Sequence, residues 1–382
     1  MSAPRVMVYV QHLLGIGHQM RAAAIVRAMQ ARGPAVVCVS GGESGGMPDL
    51  GGARLVQLPP VRAADAGFGS LVDAQGREID DAWREGRKAA LLDAFREIDP
   101  DVLLIESFPF GRWQFRFELM PLLAAARASG VAVASSVRDI LVEKNKPGRP
   151  AAIVGILRDS FDLVLVHGDE GLVPFGATFP AADAIANMIR YTGYVAPPAP
   201  DAAADGPGRG EVVVAAGGGA VGGALLRTAL AARPLSVLAE APWRLITGPN
   251  LPPADREKLA VTQGVTVETL RADYRELLSR AALSVSQAGY NTVMDILVTG
   301  VPAVLVPFAA PGETEQTLRA RLLAERGRVE LVEEAALSPE SLARAIDRAL
   351  ARPAKALDGL ALDGAAETAR IVEAMVGERG GA

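Results

Sequence analysis

Short runs of consecutive apolar residues recur through the first half of the chain: RVMVYV (5–10), AVVCVS (35–40), RLVQL (54–58), DVLLIE (101–106), VAVASSV (131–137) and DLVLVH (162–167). Between them, the stretches 18–32, 81–97 and 112–128 carry apolar residues at helical spacing. Strands that are apolar throughout, rather than alternating, are buried on both faces, so this pattern predicts a parallel sheet covered by helices on each side. The periodicity stops at VAPPAPDAAADGPGRG (195–210), whose Pro, Gly, Ala and Asp content reads as a linker. It then resumes with EVVVAA (211–216), WRLITG (243–248), VTVETL (265–270), LSVSQ (283–287), PAVLVPF (302–308) and RVELVE (328–333), separated by further helical patterns. The expected organisation is a first α/β domain over 1–194, the linker, a second over 211–360, and a helix and tail over 361–382 whose periodic DGAAETARIVEAMV (363–376) fits against either domain. The fold class is α/β, two doubly wound Rossmann-like parallel sheets, with ligands expected in a cleft at the carboxyl ends of the strands.

Length and composition agree with this picture. A chain of 382 residues exceeds what one core organises, and half of its residues are hydrophobic while only 5% are aromatic. A formal charge of −5 argues against a surface built for nucleic acid. Cys38 is the only cysteine and the histidines are three (His12, His18, His167), which leaves little material for disulfides or a metal cage, so neither metal nor cofactor is expected. No run approaches the ~20 apolar residues of a membrane span, and MSAPRVMVYVQH lacks the features of a secretory signal. A cytoplasmic protein is expected.

The candidate chemistry lies in the turns between strands and helices. The first strand leads into GIGH (15–18), where Gly15 and Gly17 permit a tight turn and His18, a side chain that ordinarily titrates near neutrality, stands in the first turn of a helix. A Gly pair that merely lets strand and helix pack is the structural alternative. GGGAVGG (217–223) repeats the arrangement, with Gly217, Gly218 and Gly219 able to bring backbone N–H groups to an anion at a helix N-terminus; it is neither a P-loop nor a dinucleotide fingerprint. In SQAGYNTVMD (286–295), Ser286 ends a strand, Gly289 turns the chain, and Asn291 and Thr292 are positioned to cap the helix that carries Asp295, which would reach a ribose diol. PFAAPGETEQ (307–316) ends in Glu315 and Gln316, an acceptor and an amide suited to sugar hydroxyls. DPD (99–101) superficially matches a metal-binding Asp-x-Asp, but its place before a strand reads as a turn.

These four segments, in this order over most of the chain, resemble the GT-B glycosyltransferases of family 28, the family containing the N-acetylglucosaminyltransferase that completes peptidoglycan lipid II. The chain is similar, too, to predicted glycosyltransferases without an assigned substrate that share segments of the ESFPFGR and SVRDIL type. The resemblance implies inverting, metal-independent transfer of a hexose-type sugar from a UDP- or TDP-sugar to an acceptor hydroxyl. It implies His18 as the base on the acceptor side, Gly217–Gly219 at the diphosphate, Asp295 at the ribose, and Glu315 with Gln316 at the sugar. Asp295 stands where that enzyme has Glu, Gln287 where it has Arg, Glu315 where it has the first Gln, and GYVAP (193–197) where it has GNPVR, so a different donor or acceptor is expected. A UDP-sugar 2-epimerase or nucleotide-sugar hydrolase, and a non-catalytic sugar-nucleotide or glycan-binding protein, are the competing readings of the same scaffold.

Two segments bear on the acceptor. ESFPFGRWQFRF (106–117) and SVRDILVEKNKPGRP (136–150) both follow strands of the first sheet, which puts Glu106 and Arg138 on the acceptor side with Gly15 and Gly17. Their aromatic and basic residues (Arg112, Arg116, Lys144, Lys146, Arg149) read either as a buried helix face beside a solvated loop, or as a surface for a lipid-linked acceptor with peripheral contact at the inner face of a membrane.

Overall fold

The computed structural model describes residues 3–13, 17–43, 47–64, 70–141, 147–200, 205–216, 222–248, 251–260, 262–269, 271–309, 314–352 and 359–379. The chain forms two compact units, Met1–Val195 with Ala361–Ala382, and Ala196–Leu360.

The first unit begins with β1 (Arg5–Val10), α1 (Gly17–Gln30), β2 (Ala35–Ser40), β3 (Arg54–Gln57), β4 (Val61–Ala63) and β5 (Leu71–Asp73). It continues with α2 (Asp81–Ile98), β6 (Val102–Glu106), α3 (Arg116–Ala128), β7 (Ala132–Arg138), α4 (Arg149–Ser160), β8 (Leu163–His167) and β9 (Ile189–Tyr191). Seven strands pair in parallel in the order β3-β2-β1-β6-β7-β8-β9. The strand order reverses between β1 and β6, so their carboxyl ends flank the natural ligand position of such a sheet. β4 and β5 form a separate antiparallel pair that the hydrophobic pattern did not announce. Helix α2 shows how local chemistry sets the boundaries: the Asp80 carboxylate accepts from Trp83 N at 2.7 Å, and Asp99 closes the helix in the left-handed region at φ 47°. Asp99 and Asp101 then take Arg5 through its guanidinium and its backbone N–H, so DPD is a turn tied to β1.

In the second unit, β10 (Val212–Ala215), α5 (Gly223–Ala232), β11 (Trp243–Ile246), α6 (Pro253–Ala260), β12 (Val265–Glu268) and α7 (Tyr274–Arg280) come first. β13 (Leu283–Ser286), α8 (Tyr290–Thr299), β14 (Ala303–Leu305), α9 (Glu315–Glu325), β15 (Glu330–Leu331) and α10 (Pro339–Ala351) follow. The parallel order β12-β11-β10-β13-β14-β15 places this sheet's reversal between β10 and β13. Its core joins Val212, Val214, Leu283 and Val285 from the strands to Leu226, Ala229 and Ile346 from α5 and α10.

The last helix, α11 (Gly364–Arg379), belongs to the first unit. Ala369, Val372 and Met375 share a core with Ile25, Val26 and Met29 of α1, and Arg32 pairs with Glu373 at the rim. The amphipathic pattern was equally compatible with either domain; the apolar face left open by α1 decides it.

Candidate functional site

At the reversal of the first sheet, the sequence delivers a histidine and a carboxylate to one point. β1 and β6 run side by side, α1 starts just beyond β1, and His18 in its first turn lies with Nδ1 2.8 Å from Oε1 of Glu106, the last residue of β6. The same oxygen accepts from Arg21, one helical turn after His18 and also buried. Burial would raise the Glu106 pKa, but its contacts with His18 and Arg21 outweigh it and hold the carboxyl below its usual range. For His18 burial dominates, and with Arg112 and Arg21 opposing a further cation it pushes the imidazole down to about 4 against the attraction of Glu106. The expectation of titration near neutrality is thereby corrected: the ring is neutral over the physiological range. Arg112 completes the surroundings, its Nε donating to the Gln11 carbonyl beyond β1 at 2.6 Å. Both Ser107 (φ 65°) and Arg112 (φ 56°) adopt the left-handed region, a cost of local strain found where surrounding structure over-determines a loop.

Behind this point lies a buried ion pair. Glu118 of α3 accepts from Arg87 of α2 at 2.7 Å and from the Tyr9 hydroxyl at 2.6 Å, and Arg87 also reaches Gln11 Oε1 and the Gly41 and Pro59 carbonyls. One guanidinium thus ties together the chain leaving β1, β2 and β3. On the other side, His167 at the end of β8 is fully buried, its Nε2 2.7 Å from Ser136 Oγ and its Nδ1 2.9 Å from Thr192 Oγ1. Burial above all, with Arg21 adding to it, holds His167 down to about 3. Both histidines have folded pKa values below the unfolded one, so the unfolded chain binds more protons and stability falls as pH drops below about 6.5. Urea midpoints measured from pH 7 to pH 4 should therefore decline, and His167→Gln should flatten that decline; an unchanged slope in the variant would remove His167 as a source.

In the second unit the reversal lies between the ends of β10 and β13. Gly222 precedes α5, and a Cβ there would stand 2.1 Å from the Ala216 Cβ, so only glycine lets the helix start this close to the strand end. Ser286 ends β13, buried, its hydroxyl without a hydrogen-bond partner among the described residues. Gly289 is the extended residue before α8, and no side chain caps that helix. The expected capping by Asn291 and Thr292 is corrected accordingly: both fall inside the first turn, Asn291 exposed and Thr292 half-buried. Further along α8, Asp295 has Arg275 of α7 3.8 Å away, and burial lifts its carboxyl to about 6 against that cation. Gln316 Oε1 accepts from Ala288 N at 3.1 Å and Phe308 N at 3.2 Å, joining the two loops that follow β13 and β14. Glu315 is buried and accepts from Arg319 at 3.0 Å, whose guanidinium lies over the Tyr290 ring.

The structure thus brings Ser286, Gly289, Asn291, Thr292, Asp295, Glu315 and Gln316 to one end of one sheet, and Gly17, His18, Glu106 and Arg138 to one end of the other. Gly15, Gly217, Gly218, Gly219, Lys144 and Lys146 lie outside the described residues. Of the aromatic segment, Phe108 and Phe115 are buried and Phe110 packs edge-on against Phe175 and Phe179, so these rings build core. Trp113 instead has the guanidiniums of Arg149 and Arg116 over its ring, 3.9 Å and 4.5 Å from its centroid. Sequence reasoning missed Arg21, Arg87, Glu118 and Arg275. Arg21 had a signal, its i, i+3 spacing from His18; the other three meet their partners only through packing.

Two parallel-sheet α/β domains of this topology define the GT-B glycosyltransferase fold. Solved structures agree along nearly the whole chain: a calicheamicin glycosyltransferase (TM-score 0.64, 17% identity, 98% of both chains) and MurG of Acinetobacter baumannii (TM-score 0.62, 16% identity, 97% of this chain and all of that one). Within that class, residues 212–368 match the glycosyltransferase family 28 C-terminal domain. Among curated relatives are the UDP-N-acetylglucosamine–N-acetylmuramyl-(pentapeptide) pyrophosphoryl-undecaprenol N-acetylglucosamine transferases of Thiobacillus denitrificans and Ralstonia nicotianae. The first is 30% identical over 194 residues (49% of this chain, 50% of that protein), the second 30% over 198 (46% and 49%). The chain spans about half the length of these two relatives or less of others. No helix among the described residues is long and apolar enough to cross a membrane.

Proposed function

We propose that the protein transfers a hexose-type sugar from a nucleoside diphosphate sugar, UDP- or TDP-linked, to an acceptor hydroxyl, with inversion at the anomeric carbon and without a metal ion. The observation that carries this reading is the neutral, carboxylate-backed His18 at the reversal of one sheet, in a chain whose other sheet bears the family 28 match. His18 takes the proton of the acceptor hydroxyl as that oxygen attacks the anomeric carbon, and the bond to the departing diphosphate breaks. Asp295 holds the ribose, while Ser286 and the amide nitrogen of Gln316, whose oxygen is already committed to the backbone, meet the rest of the donor. The names of the curated relatives specify a pyrophosphoryl-undecaprenol acceptor, and a lipid-linked acceptor met by peripheral membrane contact is the corresponding reading for this chain.

The test is nucleotide release from UDP- and TDP-sugars with and without soluble and lipid-linked acceptors, in the presence of a chelator. Acceptor-dependent, chelator-insensitive release supports the reading. Release without acceptor moves the protein to the hydrolase or epimerase class, and tight binding without release makes it a binding protein.

Asp295 supplies a prediction on both affinity and stability. Its folded pKa lies above the unfolded one, so its contribution to stability is present below about 3.8 and is lost as pH rises through about 6. Asp295→Asn should therefore stabilise the ligand-free protein at pH 7.5 by about 1–3 kcal/mol while weakening UDP binding by a similar amount. Calorimetry and thermal melts read both; a variant less stable than the parent with unchanged affinity returns Asp295 to a purely structural role.

A further inference from the structure

The buried Arg21 has no part in the proton transfer just described, although it touches both members of the pair that performs it. Its Nη2 donates to Glu106 Oε1, the oxygen that also faces His18 Nδ1, and lies 3.3 Å from Nδ1 itself. Glu106 Oε2 is buried and without a hydrogen-bond partner among the described residues, so the carboxylate's contacts converge on one oxygen. A guanidinium only donates, and an ionised carboxylate only accepts. With Glu106 ionised, a lone pair on Nδ1 would face Oε1 at 2.8 Å with no proton between them, so Nδ1 must carry the proton and Nε2 must be bare. With Glu106 protonated, the carboxylic acid would donate to Nδ1, the imidazole would keep its proton on Nε2, and no lone pair would remain for an acceptor hydroxyl. A fully buried carboxyl beside one neutral imidazole favours the second arrangement. Arg21 is the buried cation in direct contact with Glu106 that reverses the preference.

We propose that Arg21 is a positioning residue: by bonding Glu106 Oε1 it keeps that carboxylate ionised and so selects the His18 tautomer in which Nε2 is free to act as the base. The proposal rests on the transferase reading for its use, but the tautomer itself is independent of any reaction. Other charged or titratable groups around the pair are Arg112 in the loop after β6, which in turn faces Arg138 at the end of β7 and Tyr9 of β1, and His167 at the end of β8. Arg112 and Arg21 both oppose protonation of His18. Removing Arg21 releases Glu106 to take a proton, and the neutral acid then occupies the Nδ1 lone pair.

Nitrogen NMR of the histidine rings in the intact chain tests this without turnover. In the parent protein His18 should show a protonated Nδ1 and a bare Nε2 at pH 7, with a midpoint near 4; a protonated Nε2 overturns the proposal before any variant is made. In Arg21→Met, Glu106 should take up a proton and donate it to Nδ1. The bare nitrogen at pH 7 should move to Nδ1. Arg21→Lys, which keeps the charge, should restore the parent tautomer. Unchanged UDP affinity in the second domain, together with a retained near-UV circular dichroism spectrum, certifies that the variants are folded. If a folded Arg21→Met leaves the tautomer where it was, Arg21 is structural and the proposal fails. Should the protein prove unable to transfer sugar to any acceptor, the transferase reading fails instead, with the ring spectra unaffected.

Discussion

His18→Ala lowers acceptor-dependent turnover by roughly a hundredfold to ten-thousandfold, the usual range for removing a general base, and leaves nucleotide affinity unaltered. The two effects separate because His18 belongs to the first unit and the proposed nucleotide site to the second. Glu106→Gln should approach the same loss, since an uncharged amide can neither fix Nδ1–H by charge nor stabilise the imidazolium formed as the proton arrives. The pH profile carries a further sign. The base works only when neutral, and burial holds His18 down to about 4, so the acid limb of kcat/KM should fall near pH 4 instead of near 6.5. Steady-state rates from pH 4 to 8 in the parent and both variants read all of this. Near-parental turnover in His18→Ala would leave the residue as a helix-opening side chain.

The second large effect is on the fold. Arg87→Leu should destabilise the protein by about 3–5 kcal/mol, because Glu118 is left as a charge with no exposure to water and its guanidinium partner gone. The Gly41 and Pro59 carbonyls and the Gln11 amide oxygen lose a donor in the same step. Arg87→Leu combined with Glu118→Leu should recover much of the loss, since replacing both members of a buried pair by apolar groups removes the uncompensated charge. Denaturant unfolding of the two single variants and the double variant forms the cycle. A double variant no better than Arg87→Leu would mean that the guanidinium's bonds to the chain leaving β1, β2 and β3 outweigh the ion pair. Gln11 also supplies the carbonyl that holds Arg112, so the acceptor-side loop should loosen along with stability.

What was legible in the sequence follows from period and punctuation. Apolar runs such as VVVA and VLLI suit a sheet covered on both faces, and helical spacing between them points to parallel α/β packing, whose open doubly wound order the structure shows. Glycines and polar residues at the ends of these runs marked the turns, and the structure does place His18 at a strand end of the first sheet and Ser286, Asp295 and Gln316 at strand ends of the second. The short β4–β5 hairpin was not, since three-residue strands leave no period to read.

The sequence by itself therefore determined which elements form, the order in which they alternate, and the strand ends at which chemistry would gather, because these depend on interactions a few residues apart. Which side chains meet was decided by tertiary structure. His18 and Glu106 are separated by 88 positions and Arg87 and Glu118 by 31, and no local pattern encodes contacts that arise only when β1 pairs with β6 or α2 packs on α3. The charge states were decided there too. His18 is neutral to about pH 4 because packing removes water and brings Arg112 and Arg21 near, and Asp295 resists ionisation to about pH 6 because burial outweighs the Arg275 charge, quantities that belong to the folded protein and not to the order of its residues.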